Sequence, residues 1–224
     1  MDPLTLTVVG VAATVAGLRG FIYWYSTPQV IKRSLSTHRR VPISEASAGR
    51  RIKIVGRVGA VAEPLVAPIS GRPCVHWQVW IESEQPSGKG TFWREVLHTG
   101  AAQDFFLSDE TGRAVVSPGE SWTFAAARSR SGETRGRGQT DHVIEALLHA
   151  NERARPSGSE GLRCFEAVYE VDQEIAVVGL ASLEPDPDPT TEARGNYREP
   201  PKRIRLGPAA KRSVIASDDP KTFR

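Results

Sequence analysis

QDFFLSDETGRAVVSP, residues 103–118, reads as a β-hairpin, with DFFLS and RAVVS as its strands and Asp109-Glu110-Thr111-Gly112 as the turn. An Asp that opens a turn accepts hydrogen bonds from the amides after it, and a Gly that closes it supplies a conformation other residues dislike. Both residues are therefore expected to be structural. Upstream, RIKIVGRVGAV at 51–61 alternates basic or small residues with Ile52, Ile54 and Val58, the period of a half-buried strand. CVHWQVWIES at 74–83 alternates again, with Cys74, His76, Gln78 and Trp80 on one face and Val75, Trp77, Val79 and Ile81 on the other. Gln85 to Gly90 reads as a loop before a further strand over Trp93 to His98.

Downstream, RSRSGETRGRG at 128–138 is expected to be a basic Gly/Ser loop. QTDHVIEALLHANER at 139–153 reads as a helix capped by Thr140 or Asp141, with Val143, Leu147 and Leu148 along its apolar side. CFEAVYEVDQEIAVVGLASLE at 164–184 returns to strand, and Ile175, Val177 and Val178 suit a buried central position. From Glu184 the chain becomes EPDPDPTTEARGNYREPPKR, a proline-rich linker running from acidic to basic, and the final residues carry little core-forming material. The fold class that follows is mainly β (α+β): a small, OB-like β-barrel or else a sandwich, the barrel preferred, with one or two helices.

The amino-terminal side differs in kind. Residues 4–25, LTLTVVGVAATVAGLRGFIYWY, form one apolar stretch with Arg19 as its single charge. At helical rise it would extend roughly 33 Å, matching a hydrocarbon core of about 30 Å, so a transmembrane helix is expected. Tyr23, Trp24 and Tyr25 make an interfacial anchor, and Lys32, Arg33, Arg39 and Arg40 crowd only the carboxyl flank, which places the folded part in the cytoplasm. A cleaved signal peptide fits less well, because the run is preceded by Met-Asp-Pro and not by basic residues. Gly10, Ala13 and Gly17 share one side of the helix and point to self-association of two anchors. After Thr27-Pro28, QVIKRSLSTHRR reads as a short amphipathic helix with its basic face near the headgroups, and Ser44 to Ala48 as a second short helix. The expected organisation is an anchor at 1–26, a juxtamembrane segment at 27–50, a β domain at 51–183 and a proline-rich, basic tail at 184–224.

Motifs for catalysis are scarce. The chain has no G-x-S-x-G, P-loop, H-E-x-x-H or dinucleotide fingerprint, so no catalytic residue and no cofactor is assigned. Two cysteines, Cys74 and Cys164, cannot build a disulfide framework or a four-cysteine zinc site, and Cys74-x-His76 has no partner pair, so no metal site is assigned either. His142 and His149 read as helix-surface residues, Asp109 and Glu110 as turn residues, and Glu184, Asp186 and Asp188 as a solvated linker. Arg128, Arg130, Arg135 and Arg137 are the candidates for contact with anionic lipid or a partner. With a net charge of +3, nucleic acid is the weaker alternative, resting on Trp77, Trp80, Trp93 and Trp122 stacking bases on a barrel face.

The order of several segments resembles a known family. Val55, Gly56 and Val58 lie in a strand after an N-terminal membrane helix; L-x-A-P-x-S-G-R-P-C runs from Leu65 to Cys74; F-x-L-x-D-x-T-G-x-A-x-V runs from Phe105 to Val116. A late E-x-x-x-x-x-D-x-x-x-x-V-x-G joins Glu166, Asp172, Val177 and Gly179. This succession is similar to the GIDE, or beside-a-membrane, domain of the mitochondrial ubiquitin ligase Mulan and of many bacterial membrane proteins. The ligases carry a second membrane helix and a C-terminal RING that binds two zinc ions, whereas no cysteine follows Cys164 here. A Mulan-like E3 ubiquitin ligase activity is therefore rejected on zinc chemistry. What the resemblance implies is a membrane-adjacent interaction domain; together with the anchor and the arginine series, the expectation is a non-enzymatic, single-pass membrane protein whose β domain binds a protein or anionic lipid at the cytoplasmic face, with an enzyme of unrecognised class and a membrane-tethered nucleic-acid binder as the rivals.

Overall fold

The computed structural model describes residues 27–88, 90–119, 122–125, 129–134, 139–152, 161–187, 201–210 and 212–224. The expected anchor, with Gly10, Ala13 and Gly17, lies outside the described residues, and no described helix is long and apolar enough to cross a membrane. Twelve strands and two α-helices are present among the described residues.

Five strands close into a barrel. They are β1 (Arg51–Ala60), β5 (Phe105–Asp109), β6 (Gly112–Val116), β10 (Glu174–Pro185) and β11 (Lys202–Gly207). Around the ring the order is β1-β5-β6-β11-β10, and pairing of β10 with β1 shuts it. Every neighbour is antiparallel except β6 and β11, which run parallel. The period of two sends alternate residues inward, so Ile52, Ile54 and Val58 meet Phe105, Leu107, Ile175, Val177, Ile204 and Leu206 in one core. Gly56 is where the barrel tolerates no side chain, since a Cβ there would overlap the Ser108 carbonyl across the β1–β5 pair.

The expected hairpin is present, with Asp109 paired to Gly112 across the turn. Gly112 earns its place differently from the expectation. Its φ is not positive, and a Cβ would instead press at 3.3 Å on Ile43, in a short 3-10 turn (Ile43–Glu45) laid over the hairpin. That 3-10 turn replaces the helix expected over Ser44 to Ala48.

Two readings of the carboxyl half are corrected. The β domain does not end at 183: the segment read as a tail with little core material supplies β11 and β12 (Val214–Ser217), and Ile204, Leu206, Val214 and Ala216 are buried in the barrel core. Their short apolar runs carry no strong periodic signal, and only closure of the ring gives them a partner. Glu184 and Asp186 are likewise not a solvated linker. Arg203 Nε donates to Glu184 Oε1 at 2.6 Å, Arg205 also donates to Glu184, and Arg203 stands 3.5 Å from Asp186.

Five further strands form a second sheet. β3 (Pro73–Ser87) pairs with β4 (Gly90–Ala102) on one edge and with β9 (Leu162–Glu170) on the other; β8 (Ser129–Thr134) follows β9, and β2 (Leu65–Val66) pairs with the start of β3. The loop expected at 85–90 shrinks to a tight connection, because both strands continue nearly to its tip. The loop expected at 128–138 contains a strand over Ser129–Thr134, where pairing to β9 overrides the flexible composition. A helix, here α2 (Gln139–Ala150), buries Ile144 and Leu148 against Val79, Ile81, Leu97, Leu162 and Cys164 of this sheet.

The first helix, α1 (Thr27–Thr37), packs on the outside of the barrel. Ile31 and Leu35, one turn apart, are buried with Val55, Ala176 and Val178, beside Ile215 and Phe223. Its apolar face is therefore spent on protein, while Lys32 on the same helix is exposed. Hydroxyls of Ser36 and Thr37 donate to the Arg33 carbonyl at 3.0 and 2.9 Å, satisfying groups freed at the helix end. The short β7 (Trp122–Ala125) runs parallel to β12 next to this helix.

Candidate functional site

Beyond α1 the chain passes Arg39 and Arg40 and crosses above the β5–β6 turn. Arg40 bridges to Lys53 in β1, and the Val41 amide donates to the Lys53 carbonyl at 2.9 Å, so this passage is fixed to the barrel. Pro42 starts the 3-10 turn, and two hydrogen bonds tie that turn to the hairpin: Ile43 N to Asp109 Oδ2 at 3.0 Å and Ser44 N to Thr111 Oγ1 at 3.1 Å. An open cleft of about 530 Å³ lies here, with Arg39, Arg40, Pro42, Glu45, Asp109, Glu110 and Thr111 among its lining.

Asp109 is the keystone of the floor. Its Oδ1 accepts from Thr111 N at 2.7 Å, Thr111 Oγ1 at 2.7 Å and Gly112 N at 3.0 Å, while Oδ2 takes the Ile43 amide. Partial burial pulls its pKa upward, but the Thr111 hydroxyl and the three amides outweigh that and hold the carboxyl below its ordinary 3.8. With both oxygens engaged, Asp109 is a structural carboxylate. Glu110 next to it is exposed and turned to the cleft rim.

The residues singled out by sequence for chemistry fall into structural roles. Cys74 and Cys164 are buried, and burial, followed by the Glu166 carboxylate, pushes both thiols up to about 11. His76 is buried with its ring edge-on to Phe124 at 3.9 Å, and burial drives its pKa down to about 3 against a hydrogen bond with Ala101, so the ring stays neutral. Among the described residues no group of His, Cys, Asp and Glu is arranged to hold a metal ion. His142 and His149 are exposed on α2.

The L-x-A-P-x-S-G-R-P-C stretch is a loop gripped by the late Glu. Glu166, fully buried, accepts from Ile69 N at 2.9 Å and Ser70 N at 3.2 Å, and the Arg72 guanidinium stands 3.9 Å away. Asp172 sits in the left-handed region with φ 68° at the β9–β10 turn, a conformation Asp tolerates better than most residues. Of the tryptophans named as base-stacking candidates, Trp122 starts β7, with only its backbone described, and the other three do not lie on the barrel. Trp77, Trp80 and Trp93 belong to the second sheet, where Trp80 stacks on His98 at 4.9 Å and Arg163 caps Trp93 at 4.3 Å. Arg128, Arg135 and Arg137 lie outside the described residues, and of Arg130 only the strand backbone is described.

The cleft itself was not legible in the sequence. Arg39 and Arg40 read as a topological flank and Glu110 as a turn residue, because the contact that joins them spans 66 residues of chain. Comparison with protein-family models, with curated proteins and with solved structures yields no match.

Proposed function

We propose that this chain is a single-pass membrane protein whose GIDE-like β module recognises anionic lipid or a partner protein at the cytoplasmic face of the membrane. The observation that carries this reading is the docking of α1. The apolar run ends at Tyr25 and α1 begins at Thr27, already packed on the barrel through Ile31 and Leu35. A barrel whose first packed helix follows the apolar run this closely in sequence would be held near the headgroups, where nearby basic residues act at high effective concentration. Arg39, Arg40 and the arginine series at 128, 130, 135 and 137 are the groups available for that contact.

The barrel supports the finer reading as OB-like. Taken in chain order its strands are arranged first, second, third, fifth, fourth, with the third and fifth parallel. Such barrels serve as binding platforms more often than as catalytic scaffolds. Nucleic acid is disfavoured as the occupant, since Trp77, Trp80 and Trp93, three of the four candidates for stacking bases, lie on the other sheet.

The test is lipid retention by the full chain, purified in neutral detergent and measured by native mass spectrometry. Phosphatidylglycerol is expected to be retained over phosphatidylcholine, and replacing Arg128, Arg130, Arg135 and Arg137 by Ser should reduce the preference about tenfold or more, at about 1 kcal/mol per nearby Arg. Equal retention of the two lipids by the parent, or a reporter fused at residue 224 that signals from the external side, would overturn the lipid reading and the orientation respectively.

A further inference from the structure

Arg51 opens β1, and its side chain reaches the residue ahead of β12. Nη2 donates to the Ser213 carbonyl at 2.7 Å, while Nη1 is buried and has no hydrogen-bond partner among the described residues. Other half-buried arginines are matched: Arg72 meets Glu170, Arg163 meets Glu82, Arg203 meets Glu184 at 2.6 Å, Arg205 meets Asp104 at 2.8 Å, and Arg113 lies 4.2 Å over the Phe106 ring. Arg51 has a like charge for a neighbour instead. Burial, then the Arg212 guanidinium, pull its pKa below the ordinary arginine value, and no carboxylate acts in the opposite sense.

Arg212 is exposed, but its backbone is fixed. Ala209 N donates to the Arg212 carbonyl at 2.9 Å and Arg212 N to the Ala209 carbonyl at 3.1 Å, so a tight turn delivers Arg212 next to Ser213. The Ser213 hydroxyl stands 3.0 Å from the Thr123 hydroxyl of β7; one donates to the other, and the acceptor keeps its own proton to donate. A buried donor without an acceptor is costly, and a second positive charge beside it adds to that cost. One anion removes both. A carboxylate or a phosphodiester carries a single charge against two guanidiniums, whereas a phosphomonoester carries nearly two and offers three oxygens to the planar donor forks.

We propose that Arg51 and Arg212 form a binding site for a phosphomonoester dianion, with Arg51 Nη1, the Arg212 guanidinium and the Ser213–Thr123 hydroxyl pair as its donors. Because Nη1 is shielded, entry requires the arginine side chains to change rotamer, and the site takes in a terminal phosphate group and not an internal one. The source is either a lipid headgroup of the phosphatidic acid type or a soluble phosphomonoester. The inference does not rest on the membrane-surface reading, whose contact residues are other arginines.

Binding is measured by titration calorimetry on the full chain in neutral detergent at about pH 8, where a phosphomonoester is doubly charged. The probes, at matched ionic strength, are glycerol 3-phosphate, dimethyl phosphate and dihexanoyl phosphatidic acid. Glycerol 3-phosphate should bind about tenfold tighter than the singly charged dimethyl phosphate, and it should raise the melting midpoint of the parent. Arg51→Met and Arg212→Ser should each weaken glycerol 3-phosphate about tenfold or more, whereas Arg94→Ser, at an exposed position on β4, should leave it unchanged. Arg212→Ser removes only an exposed side chain, so its loss of binding does not report misfolding. Tighter binding of the dihexanoyl lipid than of glycerol 3-phosphate identifies a lipid headgroup as the source; equal binding identifies the soluble compound. Equal affinity for glycerol 3-phosphate and dimethyl phosphate, or affinity that survives both substitutions, would overturn the inference. Phosphatidylglycerol retention is assigned to the 128–137 arginines, outside this site, so failure of that retention alone condemns the membrane-surface reading and not this one.

Discussion

At the residue scale Asp109 links the hairpin, the 3-10 turn and the cleft through one carboxylate. Four hydrogen bonds converge on it, three from backbone amides. Asp109→Ala strands those donors at a partly buried site and should cost about 2 kcal/mol of stability, measured by denaturant unfolding of the detergent-solubilised chain. The pH dependence has a definite sign. Because the folded-state pKa lies below the ordinary 3.8, the Asp109 contribution is fully present above that value and is lost as the pH falls through the lowered one. The parent should therefore lose stability below about pH 4 more steeply than Asp109→Ala does. An identical acid limb in the two proteins would remove Asp109 from this role.

At the element scale, Lys53 decides whether α1 stays on the barrel. The side chain is fully buried in β1, and its ammonium donates to the carbonyls of Leu35 at 3.0 Å, Thr222 at 3.2 Å and Arg224. Burial lowers its pKa, and these carbonyls at the end of α1 and in the last residues offset part of that cost. Lys53→Met keeps the volume and removes both the buried charge and its hydrogen bonds. Two effects of opposite sign then nearly cancel in global stability, while local opening of α1 becomes about 1–3 kcal/mol easier. Hydrogen exchange should show faster exchange over Thr27–Thr37 with protection in β5 and β6 unchanged. Uniform loss of protection across the barrel would show that Lys53 holds the core rather than the helix.

At the scale of the whole molecule, β11 is the strand that closes the ring. It lies between β6 and β10, and Ile204 and Leu206 fill the core from it. A chain ending at residue 183, the boundary that composition suggests, leaves β6 with an open edge and exposes the interior. It should show no cooperative thermal transition by circular dichroism, whereas the full chain should melt in one step. A truncated chain that melts cooperatively would mean that the barrel closes without its last strands.

The sequence by itself determined the elements whose signals are local. The hairpin at 103–118, the alternating strands from Arg51 and Cys74, the helix from Gln139 and the buried strand around Ile175 each follow from periodicity or turn chemistry within a short window. Tertiary structure decided what depends on distant partners. Ile204 and Leu206 become core only because the β6 edge awaits them, Ser129–Thr134 becomes a strand only beside β9, and α1 turns inward because β10 and β12 offer it an apolar face. The cleft belongs to that second class. Arg39 and Arg40 come to line one cleft with Glu110 only when the barrel folds the hairpin under the 3-10 turn, and no spacing along the chain encodes a meeting made by closing a ring of strands.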